Sequence, residues 1–79
     1  MHFALLFRSV DQKILYPISC KSNDIVVKVE QQLYDEFPQY KDYHTYLSCN
    51  GNIIKRFKTM EENGIKNGNT IIVNIYGEE

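Results

Sequence analysis

The sequence predicts an α+β domain, a mixed four- to five-stranded sheet packed on one long helix. Three observations point there. Apolar residues alternate at period two near both ends of the chain, at Phe3, Leu5 and Phe7 and again at Ile71, Val73 and Ile75. Between them one stretch changes to helical spacing, with Val26, Val29, Leu33 and Phe37 three or four residues apart. A single apolar helix stripe and several half-apolar strands then have only each other to cover them.

The elements follow in order. The first strand runs from Phe3 to Phe7, with Ala4, Leu6 and Arg8 on its outer face. Ser9-Val10-Asp11-Gln12 is a polar break of hairpin length. The second strand spans Lys13 to Ile18, with Ile14, Tyr16 and Ile18 inward and Lys13 and Leu15 outward. Pro17 lacks a ladder donor, which suits an edge strand. Ser22, Asn23 and Asp24 each offer a side-chain cap for a helix from about Asp24 to Phe37, which Pro38 stops. Lys28, Gln31, Gln32 and Asp35 take its wet side.

Residues 38–43 read as a tyrosine-rich loop and His44 to Cys49 as the third strand. Asn50-Gly51 marks a tight turn into a short fourth strand at Ile53-Ile54. Lys55 to Lys58 read as a solvated basic loop. Thr59-Met60-Glu61-Glu62 fits a capping box, so a short helical turn is expected there, with Ile65 plugging the core behind it. Asn67-Gly68 turns the chain into the last strand, Thr70 to Tyr76, with Ile72, Asn74 and Tyr76 on its outer face. A right-handed crossover through the helix sets the first and last strands side by side and parallel, with Leu6 beside Ile72.

Seventy-nine residues at 43% hydrophobic content predict one domain over residues 1–76, with a frayed tail at 77–79. A domain of this size buries about 60–65% of its unfolded surface and has a stability of about 4–12 kcal/mol. Nine basic and ten acidic residues leave a net charge of −1, which argues against a nucleic-acid or polybasic membrane surface. The longest near-apolar run, Phe3 to Phe7, falls far short of the roughly 18–20 residues of a membrane span and of a signal-peptide core. Cys20, Cys49, His2 and His44 show no metal-ligand spacing, and one cysteine pair is few for a small secreted domain. Reduced thiols and a cytoplasmic or nuclear location are expected.

No residue set points to catalysis. Cys49 stands beside Ser48 with His44 five residues away, but strand alternation turns Cys49 inward and His44 outward. Cys20 falls between the second strand and the helix and reads as a partly buried linker residue. Asp35-Glu36 and Glu61-Glu62 occupy helix-surface and capping positions. No glycine-rich run precedes the helix. The expectation is a non-enzymatic monomer without metal or cofactor.

The element order and spacing from His2 to Tyr76 resemble the ubiquitin-like β-grasp family. The resemblance rests on Lys13-Ile14 closing the first hairpin, Ser22-Asn23-Asp24-Ile25 opening the helix, and Asn50-Gly51 after the third strand. Thr59 to Ile65 and Thr70-Ile71-Ile72-Val73 add the short turn with its buried isoleucine and the final strand. The departures bear on function. The family's conjugated modifiers end in Gly-Gly, whereas here a lone Gly77 is followed by Glu78 and Glu79, so covalent attachment is not expected. Ubiquitin's two chain-forming lysines fall on Asn52 and Asn67, its central recognition isoleucine on Ser48, and its neighbouring valine on Asn74. Loss of such an anchor commonly costs an interface about 2 kcal/mol or more.

The resemblance implies protein recognition through the outer sheet face. The residues expected there are Leu6, Tyr46, Ile72 and Tyr76, rimmed by Arg8 and His44, together with Ser48 and Asn74. Tyrosine suits interface cores because it offers a large area with a polar tip. The resemblance also implies an alternative, heterodimerisation or small-GTPase binding along the edge of the second strand, for which Lys13 is the candidate contact.

Overall fold

The computed structural model describes residues 2–76. The tail predicted at 77–79 lies outside the described residues. The strands are β1 (His2–Ser9), β2 (Leu15–Lys21), β3 (Thr45–Cys49), β4 (Asn52–Ile53) and β5 (Thr70–Ile75), and the helix is α1 (Val26–Glu36). They form one five-stranded sheet in the order β2-β1-β5-β3-β4. β1 pairs antiparallel with β2 and parallel with β5, as the crossover through α1 requires. The inward residues Phe3, Leu5, Phe7, Leu47, Ile71 and Val73 pack with Val26, Val29 and Leu33 of the helix in one core.

Local chemistry shifts several predicted boundaries. In the first hairpin the Ser9 hydroxyl accepts the Ile14 N–H (3.1 Å), and Asp11 accepts the Lys13 N–H (3.1 Å). These bonds hold Gln12 at φ +64°, a left-handed conformation uncommon outside glycine. Lys13 therefore belongs to the turn, and β2 begins at Leu15. It runs on to Lys21 because His2 and Phe3 supply partners at Lys21 and Cys20. Cys20 is thus a buried strand residue, not a linker. Pro17 does lie on an edge strand.

The helix start differs more. Asp24 accepts the Lys21 N–H (2.8 Å) and closes a turn ahead of the helix. The cap position falls to Ile25, which has no side-chain bond to give. The free N–H groups find backbone acceptors instead: Val26 donates to the Lys58 carbonyl and Val27 to the Arg56 carbonyl, both at 3.0 Å. At the other end Phe37 N–H still reaches the Leu33 carbonyl before Pro38 stops the helix. The predicted loop then tightens into a 3₁₀ turn, Pro38–Asp42. Tyr40 drives this by burying its ring beside Tyr34 and Phe37, at 6.3 and 6.5 Å between centroids. Phe37 meets Tyr16 edge-on at 5.5 Å.

Asn50 (φ +53°) and Gly51 (φ +81°) form the two-residue hairpin turn that their sequence predicts. The capping box also forms: Thr59 N–H donates to the Glu62 carboxylate and Glu62 N–H to the Thr59 hydroxyl, both at 3.0 Å. The Asn63 N–H reaches the Thr59 carbonyl to complete one turn. Met60 and Ile65 are buried beside it.

The basic stretch from Lys55 to Lys58 is not uniformly solvated. Arg56 turns inward to Glu30, which is only 2% exposed on the inner face of α1. Its Nη2 lies 2.7 Å and its Nε 3.1 Å from one Glu30 oxygen. The same Nη2 donates to the Thr45 hydroxyl (3.1 Å) and carbonyl. The Tyr34 hydroxyl joins Glu30 and Thr45. Burial pulls the guanidinium's pKa down, but the Glu30 carboxylate more than offsets this and leaves it above its ordinary value. Burial, then the bond to Glu30, pushes the Tyr34 phenol up to about 12.

Two consequences are measurable. Arg56→Leu leaves a buried carboxylate without its partner, and urea unfolding should show a loss of about 3 kcal/mol. Replacing Glu30 and Arg56 together by leucine should recover more than half of it, since the charge to be desolvated is gone. Tyr34 gives a pH signature. The fold favours the neutral phenol, so this contribution is whole below about pH 10 and is lost as pH rises through about 12. Absorbance titration should show one phenol ionising near pH 12 that is absent in Tyr34→Phe.

Candidate functional site

Strand alternation places all eight predicted face residues on the side of the sheet away from α1. Leu6 and Arg8 come from β1, Tyr46 and Ser48 from β3, and Ile72 and Asn74 from β5. His44 and Tyr76 lie just beyond the ends of β3 and β5. The register corrects one expected neighbour. Ile72 pairs with Arg8, and Leu6 pairs with Thr70. The two strands are offset by two residues from the predicted alignment, so Leu6 sits toward one end of the face and Tyr76 toward the other.

A cross-strand row spans the whole sheet: Leu15, Arg8, Ile72, Ser48 and Ile53 stand opposite one another in turn. Below it Tyr46 pairs with Asn74, and the Tyr76 N–H donates to the His44 carbonyl. The rings of Tyr46 and Tyr76 lie 4.6 Å apart between centroids. Asn74 is turned to internal use, its amide donating to the Ser48 hydroxyl (3.0 Å) and the Ile72 carbonyl (3.2 Å). The Arg8 Nε is buried with no acceptor among the described residues, an arrangement that costs about 1–3 kcal/mol.

Sequence reasoning missed three residues of this surface. Ile53 is 65% exposed on β4, and Leu15 is exposed on the β2 edge. The parity of Leu15 was visible in the sequence, but its place in the row depends on register. Phe57 is 82% exposed, and its neighbours hold it there. The carbonyls of Arg56 and Lys58 accept from the helix N-terminus, and the Arg56 side chain is anchored on Glu30. Asn63 pins Lys55 by accepting its N–H (2.8 Å) and donating to its carbonyl (3.0 Å). Phe57 therefore protrudes from a loop fixed on both sides.

Two concavities flank Tyr46. One, of about 460 Å³, lies between the first hairpin and the 3₁₀ turn, lined by Val10, Ile14, Tyr40, Tyr43 and Ile75. The other, of about 390 Å³, lies over β4 and the 55–58 loop, lined by Ile53, Phe57 and Tyr76 with Lys55 and Lys58.

The remaining candidates are dispersed. Cys20 and Cys49 are free, buried thiols whose pKa burial pushes up, with Asp24 adding to the effect at Cys20. Glu62 serves the capping box, and the Thr59 backbone N–H holds its carboxyl below the usual range. Asp35 accepts from Gln31 (3.1 Å) and pairs with Lys41 (3.8 Å) at the surface. Among the described residues no group of three or more His, Cys, Asp or Glu is placed to hold a metal ion, and no helix is long and apolar enough to cross a membrane. Lys13, the edge candidate, sits in the hairpin turn ahead of β2 rather than in its ladder.

No protein-family model matches the sequence, and neither does any curated protein. Solved structures do match its shape. Ubiquitin of Caldiarchaeum subterraneum is 18% identical with a TM-score of 0.82, over 99% of this chain and 98% of that one. A designed protein based on ubiquitin is 14% identical with a TM-score of 0.81, over 99% and 93%. The ubiquitin-like domain of an Arabidopsis thaliana protein is 10% identical with a TM-score of 0.81, over 98% and 80%.

Burial makes the two thiols unreactive as nucleophiles. Ellman's reagent at pH 8 should therefore label neither in the native protein within minutes and both in 6 M guanidinium. Fast native labelling of either would contradict the burial described.

Proposed function

This chain has the ubiquitin-like β-grasp fold, and we propose that it works as a noncovalent protein-recognition module that binds a partner through the outer sheet face. The observation that carries the reading is the continuous row from Leu15 to Ile53, with the Tyr46–Tyr76 pair beside it. A face that carries exposed Leu15, Ile53 and Tyr76 with half-buried Leu6, Tyr46 and Ile72 offers the large area that interface cores use. Ser48 and Asn74 stand where the resemblance places ubiquitin's aliphatic anchors, and the Asn74 amide is bonded internally. The partner is therefore of a different kind from those that seek an aliphatic centre.

A catalytic role has little support, since Cys49 is buried on one face of β3 while His44 belongs to the other. Binding along the β2 edge is supported less well than binding by the face. Pro17 interrupts that edge, and Lys13 precedes it. Two buried free thiols favour a reducing compartment such as cytoplasm or nucleus. We take the working form to be a monomer with no cofactor.

The test is affinity capture from the native source with three baits of matched melting temperature: the natural chain, Tyr46→Ser/Tyr76→Ser, and Gln32→Arg on the exposed side of α1. The natural chain and the helix variant should retain the same proteins, and the face variant should lose them at least tenfold. Equal capture by the face variant would refute the reading. So would an isopeptide remnant linking this chain to another, found by intact mass.

A further inference from the structure

We infer that the outer face is read at one corner, where the depression over β4 and the 55–58 loop takes an acidic segment of a partner protein. An apolar side chain of that segment seats against Phe57, and its carboxylates meet Lys55 and Lys58. This deepens the proposed recognition by the sheet face and rests on it.

Four observations carry the inference. The depression is walled by Tyr46, Ile53, Phe57 and Tyr76, and three of these are among the most exposed large apolar residues of the chain, at 65, 82 and 61% for Ile53, Phe57 and Tyr76. Phe57 is held out by fixed neighbours, so little freedom is lost when a partner covers it. Lys55 and Lys58 are exposed on the rim, and among the described residues neither lies in a salt bridge. Glu62, on whose carboxyl Lys58 has only the smallest of the favourable effects, is already bonded to the Thr59 N–H. Arg56 is different, because its charge is committed to Glu30. Two uncommitted cations beside an aromatic and aliphatic wall complement a segment that is apolar at one position and acidic next to it.

The same aromatic and basic combination also suits stacked bases of a single strand, or a second copy of this chain. The net charge of −1 argues against the first, and two lysine rims facing each other argue against the second.

The experiment is selection of a random dodecapeptide phage library on the full chain, followed by fluorescence binding and amide chemical-shift mapping with the enriched peptides. Enriched sequences should place an apolar residue within two positions of at least two Asp or Glu. They should shift Ile53, Lys55, Phe57 and Tyr76. Phe57→Ala should weaken binding at least tenfold, as should Lys55→Glu/Lys58→Glu, whereas Gln32→Arg on the exposed side of α1 should change it less than threefold. Neither loop variant should alter the melting temperature by more than a few degrees.

Peptides that shift Leu15, Arg8 and Ile72 instead would overturn this corner while leaving recognition by the face intact. Peptides that bind away from the face, or no enrichment, would overturn both. Enrichment of basic or uncharged peptides overturns the stated chemistry. Binding of a twelve-nucleotide oligothymidine at 150 mM salt, abolished by Lys55→Glu/Lys58→Glu, would assign the corner to nucleic acid. A concentration-dependent dimer abolished by Phe57→Ala would assign it to self-association.

Discussion

The buried ion pair between Glu30 and Arg56 is the constraint on which the arrangement of this small domain turns. A carboxylate on the inner face of a helix is costly unless its charge is met, and here one guanidinium and one phenol converge on it, both of them bonded in turn to the Thr45 hydroxyl. The pair joins three elements distant in sequence: the middle of α1, the start of β3, and the loop between β4 and β5. The guanidinium also fixes where its own backbone runs. Because Arg56 is tied to Glu30, its carbonyl and that of Lys58 lie where the first N–H groups of α1 need acceptors. The helix has no side-chain cap of its own, so the loop supplies one. Buried pairs of this kind add little net stability over apolar packing, and their contribution here is to register.

From that constraint the surface follows. In a loop whose backbone is held at Lys55, Arg56 and Lys58, the Phe57 ring projects between the exposed side chains of Lys55 and Lys58. The two faces of the sheet are separated by strand parity, so the helix takes Phe7, Leu47, Ile71 and Val73 while Arg8, Ser48, Ile72 and Asn74 turn outward. The fold itself agrees closely with solved ubiquitin-like structures that are only 10, 14 and 18% identical in sequence. In this chain the centre of the face is polar and internally bonded through Asn74 and Ser48, and the apolar weight lies toward Tyr46, Tyr76, Ile53 and Phe57.

Much of the fold was legible because its signals are local. The period-two runs at Phe3–Phe7 and Thr70–Tyr76, the Val26/Val29/Leu33 stripe, Asn50-Gly51, and the Thr59–Glu62 capping box each announce themselves within a few residues. The outward placement of the eight face residues followed from strand parity, whereas their choice as a binding surface came from the resemblance. What was not legible depends on tertiary partners. Ser22, Asn23 and Asp24 are all competent caps, yet backbone carbonyls more than thirty positions away took the role. Arg56 reads as one cation in a basic loop until α1 is placed over it. Its partner did leave a trace: Glu30 adjoins Val29 and lies four residues after Val26, on the helix's apolar side, where an acidic residue needs a cation. The offset between β1 and β5 was hidden as well, since parallel pairing fixes direction but not register. Tyr40 was read as loop because its burial comes from Tyr34 and Phe37 rather than from any periodic pattern.

Native-state hydrogen exchange tests the central role of the Glu30–Arg56 pair most directly. The amides of Val26 and Val27 donate to the loop that Arg56 anchors, whereas that of Ile71 belongs to the central strand of the sheet. In Arg56→Leu the account predicts that exchange at Val26 and Val27 rises at least tenfold relative to Ile71 in the same protein, as the loop lifts from the helix. If the three amides change in parallel, or Val26 and Val27 stay as protected as before, the pair does not hold the loop, and the account is wrong at its centre.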